Sequence, residues 1–384
     1  MKNSQDLKVA LVHDFLTQYG GAERVLEVLS EMFPEAPIYT LLYDKERMRG
    51  KFADKVVFAS FLQKFPNFLK KRYKYLLPLM PTAPETFDLR DFDLVISSSG
   101  AWSKGIVTRL NTIHISYIHS PMRFVWDANE RYAAQFSIFN FQFSRFFVRL
   151  FLNYIRIWDK VAADRPDHLI ANSKYTQKRI KKYYGRESNV IYPPVVVDRG
   201  SHIVDHNEND TRYAIRDTRP FLIVSRLSPY KKIDVVVEAF NKLGLPLVII
   251  GEGQQEKYLR SIAKENVKIL GWKSDEETAE YYKNARAFVF AGIDDFGMAP
   301  AEAMSYGVPV VAIRKGGVRE IVEEGKTGEF FDAATPEVIA DGIRRFIENE
   351  GNYEKQDIIN KAREFGKERF ERELGGYIDK IFNF

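Results

Sequence analysis

The sequence predicts an α/β protein built as two doubly wound parallel-sheet domains that face each other across a cleft. Three observations predict this class. Short apolar runs of strand length alternate with helical segments, the pattern of parallel strands covered by helices. The alternation lapses in a polar stretch at 198–218 and then starts again. A chain of 384 residues is also long for one hydrophobic core, and two domains of roughly 180–200 residues are the natural division.

In the first half the expected strands are Val9–His13, Leu94–Ser98, His114–His119 and His168–Asn172, with Gly20-Gly21 opening a helix to about Met32. In the second half they are Phe221–Ser225, Leu247–Ile250, Val267–Leu270, Ala287–Phe290 and Val308–Ala312, with a helix at Val235–Lys242. Residues 354–384 carry helical apolar spacing. The expected domains are 1–196 and 197–365.

Composition narrows the chemistry. The formal charge of +5 is too weak at this length to argue for nucleic acid, and suits anionic ligands or an anionic membrane surface equally. The absence of cysteine excludes disulfides, thiol nucleophiles and Cys-ligated metals, and the six scattered histidines are read as no metal site. The first residues, Met1 to Asp6, lack a signal peptide's apolar core, and no run reaches the ~18 apolar residues of a membrane span. The expectation is a cytosolic protein.

The most informative segment is Asp294-Asp-Phe-Gly-Met-Ala-Pro-Ala-Glu302. A strand feeds it and a helix follows, which puts Asp294 at a strand's carboxyl end and Glu302 in the next helix's first turns. Open α/β sheets hold their ligands in that crevice. Two acids with backbone amides between them suit a ligand rich in hydroxyls, such as a ribose and a sugar. Arg226 and Lys231 lie in Ser-Arg-Leu-Ser-Pro-Tyr-Lys-Lys between a strand and a helix, where a guanidinium and an ammonium match a diphosphate leaving group. Lys232 reads as solvated. Gly251 and Gly253 permit close backbone approach after another strand. Gly20 and Gly21 either lay a phosphate on helix amides or make a tight turn needing positive φ. His119 ends a strand in His-Ser-Pro-Met-Arg-Phe-Val-Trp-Asp and would bond a sugar or orient the reacting groups, with Arg123 and Asp127 toward an acceptor.

Taken in order, Gly20-Gly-Ala-Glu-Arg, His119-Ser-Pro, Ala171-Asn-Ser-Lys-Tyr-Thr, Ser225-Arg-Leu with Lys231, Gly251-Glu-Gly, Gly271-Trp272, the two-carboxylate segment and Gly316-Gly-Val-Arg-Glu-Ile resemble family 4 retaining glycosyltransferases of GT-B fold. The resemblance implies two Rossmann-like domains, with the last helix, about 366–384, packing back on the first. It gives Asp294 and the amides of Phe296, Gly297, Met298 and Ala299 to the donor sugar, and Glu302 to the ribose. Arg226 and Lys231 go to the diphosphate, Gly20 and Gly21 to phosphate, His119 to the reaction centre, and Trp272 to the base. The family's usual first carboxylate is Glu, and Asp294 is one methylene shorter. The His119 motif is similar to mannosyltransferases of polysaccharide assembly, which implies GDP-mannose as donor and no further cofactor. In this family retention is thought to need no enzyme nucleophile, the leaving phosphate helping to deprotonate the acceptor. Asp294 and Asp295 are adjacent and do not make an Asp-x-Asp metal motif at the site, and activity is therefore expected to survive full EDTA treatment; its loss would contradict metal independence.

Two basic-aromatic segments predict contact with a membrane and a lipid-linked acceptor. Residues 131–160 carry Phe136, Phe139, Phe141, Phe143, Phe146, Phe147, Phe151 and Trp158, with Arg145, Arg149, Arg156 and Lys160 on one helical stripe. Residues 61–80 repeat the chemistry with Phe61, Phe65, Phe68, Tyr73, Tyr75 and Lys64, Lys70, Lys71, Arg72, Lys74. The alternative is core aromatics with solvated cations. Rival functions are a UDP-sugar transferase, a GT-B nucleotide-sugar epimerase or hydrolase, and a silent binding partner. A nicotinamide dehydrogenase is disfavoured because Tyr19-Gly-Gly-Ala-Glu-Arg-Val lacks the third glycine of that fingerprint.

Overall fold

The computed structural model describes residues 7–71, 73–127, 142–195 and 218–382, with backbone alone for Lys71, Tyr73, Lys74 and 142–146. All but the last residue of the polar stretch 198–218, together with Arg72, Phe136, Phe139 and Phe141, lies outside the described residues, as do the side chains of Phe143, Arg145 and Phe146. The chain forms two compact units, Met1–Pro194 with Phe370–Phe384, and Val195–Arg369.

The first unit contains β1 (Val9–Leu16), β2 (Ile38–Tyr43), β3 (Val57–Ala59), β4 (Leu94–Ser99), β5 (Ile113–Ile118), β6 (His168–Ala171) and β7 (Asn189–Val190). They form one parallel sheet in the order β3-β2-β1-β4-β5-β6-β7. Its helices are α1 (Gly21–Met32), α2 (Asn67–Lys71), α3 (Arg123–Trp126), α4 (Gln142–Ala162) and α5 (Lys174–Tyr184). One face of α1 buries Val25, Leu26, Val28 and Leu29 against Leu11, Leu94 and Ile96 of the sheet. Phe370, Leu374 and Ile378 close the same core from the chain's last helix, at a spacing that puts all three on one helical stripe. Each such side chain contributes about 1.5–3 kcal/mol on burial.

Every residue of β4 is buried, yet its last three are serines. Ser97 is satisfied by the Ser116 hydroxyl at 2.8 Å and by His114 Nε2 at 2.8 Å. Burial, then the charges of Arg186 and Arg165, push the His114 ring from 6.5 down to about 3. The folded protein therefore refuses a proton that the unfolded chain accepts between those values, and stability falls as pH drops through that window. His114 alone is expected to cost about 2 kcal/mol between pH 7 and pH 5. Urea denaturation of a His114→Asn variant should show a flatter acid limb than wild type; an unchanged slope contradicts the assignment.

The second unit contains β8 (Phe221–Val224), β9 (Leu247–Ile250), β10 (Val267–Ile269), β11 (Phe288–Phe290), β12 (Val310–Ile313) and β13 (Gly328–Phe331), all parallel in the order β10-β9-β8-β11-β12-β13. Around them lie α6 (Ile233–Leu243), α7 (Glu256–Ile262), α8 (Asp275–Lys283), α9 (Met298–Ser305), α10 (Pro336–Glu348) and α11 (Lys355–Arg363); the last helix, α12 (Lys367–Phe382), belongs to the first unit from Phe370 onward. The core joins Phe221, Ile249 and Val289 of the sheet to Phe240 of α6 and Phe346 of α10. The strand expected from Val308 pairs with β13 from Val310, because Pro309 has no N–H to donate to a ladder. The helix expected from Val235 begins at Ile233. The stretch 354–384 divides into α11 and α12.

Candidate active site

In both sheets the chain order reverses at one point, between β8 and β11 in the second unit and between β1 and β4 in the first. Loops leaving the carboxyl ends of such strands diverge there and open a crevice. Arg226, Lys231 and Asp294 follow the strands that flank the first of these points, and Gly20 and Gly21 follow β1 at the second; Gly251 and Gly253, Trp272, and His119 with Arg123 follow the more outlying β9, β10 and β5.

In the second unit, the loop after β8 carries Arg226 and Lys231, and the loop after β11 carries Asp294. Lys231 Nζ donates to Asp294 Oδ2 at 2.5 Å, so an ion pair spans the switch point. Both side chains are largely buried, which makes the loss of either partner costly to the other. Tyr230, which sequence reasoning passed over, holds the cations in place: its hydroxyl accepts from Arg226 Nη2 at 3.1 Å and its ring faces Lys231 Nζ at 5.3 Å. The ammonium also lies 5.5 Å from the Phe290 ring.

Gly297 adopts φ +112° as the N-cap of α9, a conformation that favours glycine, and it offers no side-chain cap. The helix therefore starts at Met298, two positions before Pro300, and the amides of Met298 and Ala299 belong to its first turn. The Phe296 side chain is buried, 5.4 Å from the Phe365 ring, so that residue can offer a ligand only its backbone. Glu302 projects from α9 half-buried and accepts from Tyr282 Oη at 3.5 Å, with Tyr282 stacked on Tyr306. Gly251 and Gly253 have a packing role. A Cβ on Gly251 would lie 1.9 Å from the Ser225 carbonyl oxygen, and one on Gly253 2.4 Å from that of Leu227. The Gly251 N–H donates to the Gly271 carbonyl at 2.8 Å, next to Trp272, whose ring is half exposed.

In the first unit, Gly20 is extended (φ −154°) and Gly21 opens α1. The tight turn with positive φ is thus not what these glycines provide; Gly20 leaves the helix N-terminus without a side-chain cap. His119 follows β5, with its N–H on the Ser99 carbonyl and its carbonyl accepting from Asn172 Nδ2 at 3.0 Å. Its Nε2 is 2.7 Å from Ser98 Oγ, which is 3.1 Å from His13 Nδ1, and His13 Nε2 is 3.4 Å from Glu23 Oε1. Burial, then the adjacent His13, hold the His119 ring at about 4 against the opposing pull of Asp14 and Glu23. Arg123 starts α3 half-buried. Asp127 is committed to the protein: Arg179 pairs with it and Tyr183 Oη donates at 2.6 Å.

Asp14 was not anticipated. Its carboxylate accepts four backbone N–H groups from the loop after β4, those of Gly100, Ala101, Trp102 and Ser103, at 2.7–2.9 Å. Farther along that loop, buried Lys104 pairs with buried Asp159 of α4 at 2.5 Å, and Trp126 Nε1 and Tyr184 Oη complete the carboxylate's shell.

The basic stripe expected to face lipid is only partly available. Arg156 donates to the Val125 carbonyl at 3.0 and 2.7 Å, and Lys160 to the Tyr184 carbonyl at 2.8 Å. Phe151 and Trp158 pack into the core with Phe61 and Phe65. α4 exposes an apolar flank as well. Phe147, Leu150, Tyr154, Ile157 and Val161, at spacings of three and four, are each 50–60% exposed. Phe68 and Tyr75 are exposed as well. Among the described residues no helix is long and apolar enough to cross a membrane, and no three potential metal ligands cluster.

Two family models match the chain, described as Glycosyltransferase Family 4 over residues 19–199 and Glycosyl transferases group 1 over residues 205–365. A GDP-mannose-dependent alpha-(1-6)-phosphatidylinositol monomannoside mannosyltransferase of Mycobacterium tuberculosis is 28% identical over 205 residues, 48% of this chain and 53% of that one. A probable sucrose-phosphate synthase of Thermosipho melanesiensis is 28% identical over 243 residues, 58% of this chain and 56% of that protein. The matched region thus spans little more than half the length of these curated relatives. Among solved structures, Anabaena HepE in complex with UDP-glucose superposes with a TM-score of 0.65 at 18% identity, over 97% of this chain and 99% of that one. Sucrose-phosphate synthase from Thermosynechococcus elongatus does so with a TM-score of 0.67 at 15% identity, over 97% and 99%. These likenesses carry the GT-B fold across both sheets, and the family models cover both halves: the chain belongs to glycosyltransferase family 4.

Proposed function

We propose that the chain transfers mannose from GDP-mannose, with retention, to a saccharide or lipid-linked acceptor of cell-surface polysaccharide or glycolipid synthesis. The observation that carries this reading is the grouping of Arg226, Lys231, Asp294 and Glu302 around one switch point of the second unit. Charge develops on the diphosphate as its bond to the sugar C1 breaks, and two cations beside it stabilise that charge. The Lys231–Asp294 pair orients the ammonium beforehand, so little reorganisation accompanies the reaction. The acceptor hydroxyl forms the new bond to C1 on the face the diphosphate leaves, and its proton passes to the departing phosphate oxygen. Asp294 and the first-turn amides of α9 serve the sugar, Glu302 the ribose, Gly20 and Gly21 phosphate, and Trp272 the base. His119 serves the reaction centre, and Arg123 the acceptor.

The mannosyltransferase relative supports GDP-mannose. The HepE complex favours a second reading, with UDP-glucose as donor. Calorimetry with GDP-, UDP- and ADP-sugars, followed by turnover of the best binder, separates them. Tightest binding and turnover of GDP-mannose is the expected result, and preference for a UDP-sugar overturns the donor assignment. Nucleotide release without any acceptor would instead mark a hydrolase.

The exposed flank of α4 supports peripheral attachment at the inner face of the cell membrane. An amphipathic helix binds an interface by burying its apolar side among acyl chains. Leu150→Glu with Ile157→Glu is expected to abolish co-sedimentation with anionic liposomes at low salt while leaving the circular dichroism spectrum unchanged. Undiminished binding would exclude this helix as the contact.

A further inference from the structure

Glu23, His13, Ser98 and His119 form a continuous hydrogen-bonded line built from four separate segments of the first unit. Parallel pairing of β1 with β4 sets His13 opposite Ser98, and pairing of β4 with β5 carries the same face on to His119. Glu23 comes from the first turn of α1. Glu23, His13 and Ser98 are buried, so water cannot randomise the direction of these bonds.

We infer that Glu23, through His13 and Ser98, is a positioning residue that fixes which nitrogen of His119 carries the proton. The direction follows from bonding capacity. An ionised carboxylate only accepts, so His13 must present Nε2–H to Glu23. In a neutral His13, Nδ1 is then an acceptor and takes the Ser98 hydroxyl hydrogen. The Ser98 oxygen is left to accept from His119, whose proton must therefore sit on Nε2. His119 Nδ1, which has no hydrogen-bond partner among the described residues, is left as a lone pair. It can accept from a sugar hydroxyl and would repel a phosphate oxygen. The depressed His119 pKa, about 4, keeps that lone pair unprotonated at neutral pH.

This inference rests on the proposed function for its consequence, the meeting of His119 with a hydroxyl, but the tautomer belongs to the ligand-free protein. Two-bond 15N–1H correlation spectra of 15N-histidine-labelled protein at pH 8, where ordinary imidazoles are neutral, read it directly. The expected result is His119 in the Nε2–H form. An Nδ1–H form, or an averaged pair of tautomers, overturns the inference in wild-type protein whether or not any variant folds. Ser98→Ala should release the preference and lower kcat about 10- to 100-fold, the size of effect seen when a metal-bound imidazole loses the partner that orients it. Ser98→Thr keeps the hydroxyl and should restore the Nε2–H signature. If His119→Ala leaves turnover unchanged while the wild-type spectrum shows Nε2–H, the relay stands and the placement of His119 at the reaction centre falls.

Discussion

Lys231→Ala is expected to lower kcat/KM by about 30- to 1,000-fold, the equivalent of about 2–4 kcal/mol of transition-state stabilisation. The substitution removes a cation from the developing diphosphate charge. It also leaves Asp294 without the ammonium 2.5 Å away, in a place where little water reaches to compensate. Glu302→Ala should lose a similar amount, for the different reason that its carboxylate would hold the ribose while Tyr282 Oη holds the carboxylate. Steady-state kinetics on variants whose melting temperature matches wild type provide the check. Wild-type rates in either variant would mean that the site is misplaced.

Asp14→Ala is expected to destabilise the first unit by about 3–5 kcal/mol, since it orphans several buried donors at once and hydrogen bonds to a charged group are worth about 1.5–3 kcal/mol each. Four amides of residues 100–103 converge on this one carboxylate. Asp14→Asn should fall between Ala and wild type. It keeps one carbonyl oxygen but turns an NH2 group toward two of the donors. Urea denaturation measures both, and a loss under about 1 kcal/mol in the alanine variant would show that the loop finds other partners.

Both expectations concern residues whose importance is unequally visible in the sequence. Lys231 and Glu302 are legible because one lies in a short motif between a strand and a helix and the other in the helix that such a motif opens. Asp14 is not. It sits inside the apolar run of β1, and its partners lie more than 85 positions away, brought near by strand pairing. His13 and Ser98 are hidden in the same manner. The available signal was that β4 ends in three consecutive serines where a buried strand ordinarily stays apolar, a pattern that marks polar groups with partners. Glu23 was quoted only as a letter of the Gly20 motif, although its carboxylate lies 3.4 Å from His13.

The fold shows the same division. The strands that read from the sequence are apolar runs, most of them inside the sheets, with β10 at an edge. The ones missed are β3 and β7 at the edges, too short to show a pattern, β2, and β13, whose Gly328-Glu-Phe-Phe dilutes the apolar signal. Glu329 is buried there because Arg345 and Tyr353 satisfy it, a contact that only tertiary structure reveals. Arg156 and Lys160 of the α4 stripe depart from the expectation for a related reason. Long cationic side chains reach carbonyls of neighbouring segments, and helical spacing alone does not distinguish that from facing lipid.

The central claim is that the cations after β8 hold a nucleotide's diphosphate while the acids after β11 hold its sugars. A crystal structure with bound GDP-mannose tests it most directly. Diphosphate oxygens are expected within hydrogen-bond distance of Arg226 and Lys231, with the ribose on Glu302 and the hexose on Asp294. A nucleotide bound elsewhere, with these four side chains turned to solvent, would contradict it.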